Sequence, residues 1–236
     1  MNDQKDMKGI QKATRGISRR SFLKSSGIVV IGVGLSGCTV IDGEVAASQG
    51  YLLVDTKKCQ GCLTCMLACS LVHEGFESLS LARIQVVQNP FTNFPDDINI
   101  AQCRQCVEPA CIEACPTRAL YADEAHGNVR TVNKKKCIGC KLCLEACPFE
   151  PSRLICNFQD RSILNFQQGS TQKCDLCAGA SFWDEQGGPS GKQACVTFCP
   201  MEAIQFTTEA PDQSGDDGYN VNLRDEIWGT LGYPTD

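Results

Sequence analysis

Cys137-Ile138-Gly139-Cys140-Lys141-Leu142-Cys143-Leu144-Glu145-Ala146-Cys147-Pro148 is the stretch on which the reading of this 236-residue chain turns. Its cysteines follow the spacing C-x2-C-x2-C-x3-C-P. Thiols at i, i+3 and i+6 converge on one point when the backbone wraps in a tight loop, and the fourth follows the third by about one helical turn. Gly139 suits such a loop because glycine accepts positive φ and close approach. Pro148 fixes φ and stops the short helix before it.

The same device recurs along the chain. Sixteen of the 18 cysteines form four quartets: Cys59, Cys62, Cys65, Cys69; Cys103, Cys106, Cys111, Cys115; Cys137, Cys140, Cys143, Cys147; and Cys174, Cys177, Cys195, Cys199. Gly61 repeats Gly139, and Pro116 and Pro200 repeat Pro148 after the fourth cysteine of their runs. The first run lacks that proline, with Ser70 in its place, and the second spaces Cys106 and Cys111 by four residues.

Disulfides, zinc and iron–sulfur clusters compete for these thiols. Disulfides suit exported cysteine-rich chains, but three sulfurs gathered in one loop suit a metal cluster better than distant pairing. Zinc is strongest for the last quartet, whose C-x2-C-x17-C-x3-C resembles a zinc ribbon nearly as well as a stretched cluster motif. Its Cys195-x3-Cys199-Pro200 ending nevertheless repeats Cys111-x3-Cys115-Pro116 and Cys143-x3-Cys147-Pro148, and an internal repeat calls for one chemistry. The run from Cys137 has the spacing in which three thiolates hold one cubane and the fourth reaches another. Four [4Fe–4S] clusters are therefore expected. With 7% aromatic and 42% hydrophobic residues the apolar core is thin, and closed metal–thiolate sites add the missing folding free energy.

The N-terminus reads as an address. Ser18-Arg19-Arg20-Ser21-Phe22-Leu23-Lys24 matches a twin-arginine export signal, followed by a short apolar run from Ile28 to Leu35. The run is too short to span a bilayer, which takes about 20 apolar residues. Leu35-Ser36-Gly37-Cys38 resembles a lipobox, making Cys38 the expected site of lipidation; the alternative is cleavage after Val45-Ala46-Ala47. The chain is expected outside the cytoplasm, in the periplasm or anchored by lipid to the outer face of the cytoplasmic membrane. Seven of the 22 basic but only two of the 27 acidic residues precede Cys38, so the rest carries a formal charge of −10. That balance disfavours nucleic acid and favours basic protein surfaces as partners.

From Leu52 to Thr207 the chain resembles the four-cluster electron-transfer subunits of molybdopterin oxidoreductases of the DMSO reductase, polysulfide reductase and formate dehydrogenase type, and related subunits of tungsten enzymes. The resemblance implies pairing of the first run with the fourth and the second with the third. Cys59, Cys62 and Cys65 would bind a cluster with Cys199, and Cys174, Cys177 and Cys195 another with Cys69. Cys103, Cys106 and Cys111 would join Cys147; Cys137, Cys140 and Cys143 would join Cys115. The implied fold is α+β, with one ferredoxin-like module inserted in another. Residues 1–37 are the signal, 38–50 a linker, 51–102 with 157–207 the outer module, 103–156 the inner module and 208–236 a tail.

The remaining residues add no chemistry of their own. No paired carboxylates, activated nucleophile, phosphate loop or dinucleotide fingerprint stands out, so no catalytic residue is assigned and the chain is expected to be an electron-transfer subunit without a substrate site. The resemblance implies a catalytic partner holding a molybdenum or tungsten pterin, and a membrane quinone module or cytochrome. A hydrogenase or cytochrome nitrite reductase system is the alternative, and an exported binding lipoprotein stapled by zinc or disulfides a further one. Cys156 lies in a strand-like alternation and is read as non-ligating. His73 is read as an ordinary polar residue and His126 as a hairpin tip. Strands are expected at Tyr51–Val54, Ile84–Val87, Val129–Val132 and Ala203–Thr207, and long loops at Leu79–Asn99 and Ala178–Gly191. Trp228 and Tyr233 in the tail suit either a partner interface or the protein's own surface.

Overall fold

The computed structural model describes residues 45–152, 154–156, 170–215 and 217–233. The twin-arginine segment, the apolar run and Cys38 lie outside these residues, as do residues 157–169 of the expected outer module. Among the described residues no helix is long and apolar enough to cross a membrane.

The fold is α+β, made of small sheets and short helices. Strand β1 (Tyr51–Val54) is followed by helix α1 (Thr64–Glu74), β2 (Ile84–Gln88), β3 (Ile98–Gln102), α2 (Ala110–Glu113), β4 (Leu120–Asp123) and β5 (Val129–Val132). Then come α3 (Leu142–Glu145), β6 (Leu154–Cys156), β7 (Thr171–Lys173), α4 (Ala194–Thr197), β8 (Ile204–Thr207) and α5 (Glu226–Thr230). Each sheet is one antiparallel pair: β1 with β8, β2 with β3, β4 with β5 and β6 with β7. The β1–β8 pair sets Tyr51 against Thr207 and Val54 against Ile204, so the segment before the first cysteine run is tied to the one after the last.

Two-stranded sheets are marginal alone and need a packed face. Here that face is partly sulfur. The largest apolar cluster joins Leu52, Val54, Ile84, Ile100, Leu176 and Ile204 to Cys59, Cys65, Cys69, Cys103, Cys174 and Cys195. Full burial of each large aliphatic side chain contributes about 1.5–3 kcal/mol. The thiols fill positions that aliphatic groups would otherwise occupy, so the thin apolar composition and the cysteine runs belong to one design.

About half of the expected loop from Leu79 to Asn99 is regular structure, the expected strand at Ile84–Val87 included. Leu79–Leu81 forms a 3-10 turn, and β2 and β3 pair as a hairpin with Val86 opposite Ile100. The alternation that makes β3 a strand, Ile98 and Ile100 buried with Asn99 exposed, begins directly after Asp96 and Asp97, whose polarity masks it. The segment Ala178–Gly191 has turns but no helix or strand. His126 does sit at a hairpin tip: between β4 and β5, Asp123 accepts from Ala125 N at 3.2 Å and pairs with His126 Nδ1 at 2.7 Å.

Both ends of the described chain pack on this frame. The Ala46 carbonyl accepts from the Arg130 guanidinium at 2.6 Å, and Gln49 N donates to Gly127 O at 2.9 Å. The tail covers the protein's own surface. Tyr219 O accepts from Val54 N and Val54 O from Val221 N, both at 2.8 Å, while Arg224 pairs with Asp55 at 3.2 Å. Phe94 meets Tyr233 edge to face, and so does Trp228.

Candidate iron–sulfur sites

In the first and third runs the backbone just before the helix brings its sulfur into the interior. In the first run Gly61 (φ 67°) and Leu63 (φ 62°) are left-handed, and in the third Gly139 (φ 66°) and Lys141 (φ 65°) repeat the pattern. Alternating left-handed residues curl the chain into a tight ring with its thiols inward. Leucine and lysine pay a strain of order 1–2 kcal/mol in that region, which marks the ring as imposed from within. Cys65 and Cys69 then lie one turn apart on α1, while Cys111, Cys143 and Cys195 lie on α2, α3 and α4.

The structure gathers the sixteen cysteines round four voids. The first is lined by Cys59, Cys62, Cys65 and Cys199, with an empty volume near 330 Å³. The second is lined by Cys103, Cys106, Cys111 and Cys147, near 340 Å³. Cys115, Cys137, Cys140 and Cys143 line the third, near 320 Å³. Cys69, Cys174, Cys177 and Cys195 line the fourth, near 280 Å³. Every void takes three cysteines from one run and the last from another.

The donor set fits an iron–sulfur cluster. All sixteen sulfurs are free thiols. Among the described residues no group of three or more His, Cys, Asp or Glu side chains is placed to hold a single metal ion. Backbone amides point at the sulfurs: Gly61 N at Cys59 Sγ (3.4 Å), Arg83 N at Cys69 Sγ (3.3 Å), Ala203 N at Cys199 Sγ (3.3 Å) and Thr171 N at Cys137 Sγ (3.5 Å). Such N–H groups stabilise sulfur that carries negative charge. Burial first of all, then the neighbouring thiols, push the Cys65 and Cys177 thiols up to about 12 and those of Cys106 and Cys143 to about 11. At neutral pH such sulfurs become thiolates only when metal displaces the proton.

Charged side chains buried round the voids were not legible from motif spacing. His73, read as ordinary, is buried beside the fourth void: Nε2 lies 2.9 Å from Asp175 Oδ1 and Nδ1 2.7 Å from the Cys69 carbonyl. Burial alone would lower its pKa, but the hydrogen bonds to Asp175 and Cys69 raise it to about 9. Arg83 donates to Asp175 Oδ2 at 2.5 Å. Burial opposes ionisation of Asp175, yet His73 and Arg83 hold its carboxyl well below the usual range. Lys173, Arg104 and Arg130 line the second void. The available signal was Lys173 and Asp175 directly flanking Cys174, two charges set against a candidate ligand.

Gln105 links two of the voids. Fully buried, it donates through Nε2 to the Cys174 carbonyl at 2.8 Å and accepts from Arg130 N at 2.7 Å. Thr171 on β7 lines the third void, Lys173 the second, and Cys174 just beyond the strand lines the fourth.

Comparisons with known proteins agree with this chemistry. Residues 97–209 match the family described as a 4Fe-4S dicluster domain. The thiosulfate reductase electron transfer subunit PhsB of Salmonella typhi is 32% identical over 164 residues, covering 67% of this chain and 76% of that protein. The polyferredoxin-like subunit of an aliphatic sulfonate oxidoreductase from Pyrococcus furiosus is 40% identical over 137 residues, 58% of this chain and 70% of its own length. Protein NrfC of Escherichia coli is 31% identical over 195 residues, 80% and 79% of the two chains. The chain belongs to the 4Fe-4S dicluster family and is an iron–sulfur electron-transfer subunit of an oxidoreductase complex.

Proposed function

We propose that the chain is a four-site wire, relaying single electrons between a catalytic oxidoreductase subunit that holds a molybdenum or tungsten pterin and a membrane quinone module or cytochrome. The observation that carries this reading is the enclosure of four voids of similar size by four cysteines each. A [4Fe–4S] cluster bound in each supplies one reversible electron. Cys59, Cys62, Cys65 and Cys199 would hold one; Cys103, Cys106, Cys111 and Cys147 the next; Cys137, Cys140, Cys143 and Cys115 the third; Cys174, Cys177, Cys195 and Cys69 the fourth. Two nested ferredoxin-like modules follow from this pairing.

The chain's own residues set the order. On α1 Cys65 faces the first void and Cys69 the fourth. Lys173 and Cys174 link the second and fourth, and Cys111 on α2 is followed by Cys115 on the third. The sequence along the wire is therefore first, fourth, second, third. The fourth, whose cysteines are all buried, lies inside, while exposed Cys62 and Cys140 mark the two ends, where electrons would enter and leave.

The location we propose is the periplasmic side of the cytoplasmic membrane, reached by the twin-arginine route, with lipid at Cys38. The hold of Arg130 on the Ala46 carbonyl favours processing upstream of residue 46 over cleavage after Ala47. Substrate chemistry is left to the partner. Anaerobic purification of the tagged chain from its native host, with mass spectrometry and pterin assay, tests the assignment. Co-purification with a pterin-bearing subunit supports it; stoichiometric recovery with a hydrogenase or a multihaem cytochrome instead contradicts it.

A further inference from the structure

Two threonines line the third void together with Cys115, Cys137, Cys140 and Cys143. Thr171, the first residue of β7, is 2% exposed and reaches two of the four sulfurs. Its backbone N–H donates to Cys137 Sγ at 3.5 Å, and its hydroxyl oxygen lies 3.7 Å from Cys143 Sγ on α3. Thr117, half-buried, sets its hydroxyl oxygen 3.8 Å from Cys115 Sγ. Cys115, Cys137 and Cys143 therefore each face a polar group of one of these two residues.

The direction of the hydroxyl bonds follows from the state of the sulfur. A thiol can donate its own proton to a threonine oxygen, and a hydroxyl can donate or accept. A cysteine that binds metal has lost that proton. The hydrogen on the line between Thr171 and Cys143 is then the hydroxyl's own, and it points at sulfur; the same holds for Thr117 and Cys115. The placement is fixed by the backbone, because β7 sends alternate side chains to one face, Thr171 to the third void and Lys173 to the second. The branched side chain of Thr171 is also stiff at χ1.

We propose that the Thr171 hydroxyl, assisted by that of Thr117, raises the potential of the site bounded by Cys115, Cys137, Cys140 and Cys143 by donating to its cysteine sulfurs. The proposal rests on the four-cluster reading. Hydrogen bonds to the sulfurs are one of the quantities that set a cluster's potential. Adding an electron adds negative charge, and a hydrogen bond strengthens as its acceptor becomes more anionic, so each donor favours the reduced form over the oxidised one. The electron leaves a neighbouring site as this one gains it; the hydroxyl proton stays on oxygen, and no bond forms or breaks. Exposed Cys140 belongs to this site. The two threonines thus draw the electron toward an end of the wire where a partner can take it. Thr171 is a positioning residue, acting through the ligand sulfur rather than on any substrate.

An anaerobic redox titration of the full-length holoprotein followed by electron paramagnetic resonance tests this. The signal altered in Cys140→Ser identifies the third site. Thr171→Val keeps the backbone N–H and nearly the same shape but loses the hydroxyl. It should move that signal negative by the equivalent of a roughly tenfold change in equilibrium constant, about 59 mV for one electron, while Thr171→Ser, which restores the donor, leaves it in place. Thr117→Val should move it the same way but less far, since that hydroxyl is only half-buried. The proposal is overturned if Thr171→Val leaves the signal unmoved or moves it positive, or if Thr171→Ser moves it as far. Should Thr171→Val not accumulate, Thr117→Val decides, and an unmoved signal there overturns the proposal equally. Fewer than four clusters in the parent protein would overturn the underlying reading, whereas four clusters with a third site indifferent to both valine variants would overturn this proposal only.

Discussion

Lys173 and Cys174 are neighbours in sequence yet line different voids: the lysine faces the sulfurs of Cys103, Cys106 and Cys111, and the cysteine joins Cys69, Cys177 and Cys195. One peptide bond thus spans the boundary between two candidate cluster sites. Side chains that alternate along an extended segment can serve both, so small changes here should affect two positions of the wire.

Gln105 clamps that boundary from the other side, with one bond to the Cys174 carbonyl and one from Arg130 N. Replacement by leucine leaves both backbone groups unpaired in the interior and should cost about 2–3 kcal/mol. The urea midpoint for loss of the visible cluster absorbance should fall accordingly. An unchanged midpoint would show that the two bonds contribute nothing.

The cysteine pairing predicts long-range equivalence. Cys199→Ser should perturb the same paramagnetic signal as Cys62→Ser, and Cys69→Ser the same signal as Cys177→Ser. A sequential arrangement, with each run closing its own cluster, would instead group Cys199 with Cys195 and Cys69 with Cys65.

The tail acts as a strap over the first run. Tyr219 donates to the Arg104 carbonyl at 2.7 Å and is completely buried. Tyr219→Phe should cost about 1 kcal/mol, and Tyr219→Ala about 3–5 kcal/mol through the cavity it leaves. Truncation after Ala210 should speed iron release to a chelator, because Val54, Asp55 and Lys58 lose their partners beside Cys59. Equal release rates in the truncated and full-length proteins would remove the strap from the account.

Metal removal should unfold the chain. Six of the buried cysteines belong to the main apolar cluster, and their voids are large once emptied. Chelation under mild oxidation should abolish the far-ultraviolet circular dichroism of the native state together with the visible absorbance. Retention of native dichroism in iron-free protein would mean that the apolar contacts suffice alone.

Export offers a separate prediction. Changing Arg19 and Arg20 to lysine should leave the chain in the cytoplasm, as fractionation would report. If the catalytic partner has no signal of its own and travels with this chain, it should stay behind too; normal export of that partner would exclude such joint transport.

Much of the site was legible in the cysteine spacing, since convergent thiols, left-handed glycines and terminal prolines are local consequences of wrapping a chain round a compact centre. The strands at Tyr51–Val54 and Val129–Val132 were legible as short segments with aromatic, aliphatic or β-branched residues beside the cysteine runs. Strand β3 was not, because Asp96 and Asp97 hide the start of its apolar face. His73, Arg83, Lys173 and Asp175 escaped because charge is ordinarily a surface property; only the three-dimensional packing of α1 against the Cys174 segment shows that these charges are buried and matched, or at Lys173 left facing sulfur.

The central claim is that four cysteine-lined voids each hold a [4Fe–4S] cluster. Iron, acid-labile sulfide and zinc analysis of the anaerobically purified full-length protein tests it most directly. The account predicts about 16 iron and about 16 sulfide per chain; about four zinc, or metal-free protein with oxidised cysteines, would contradict it.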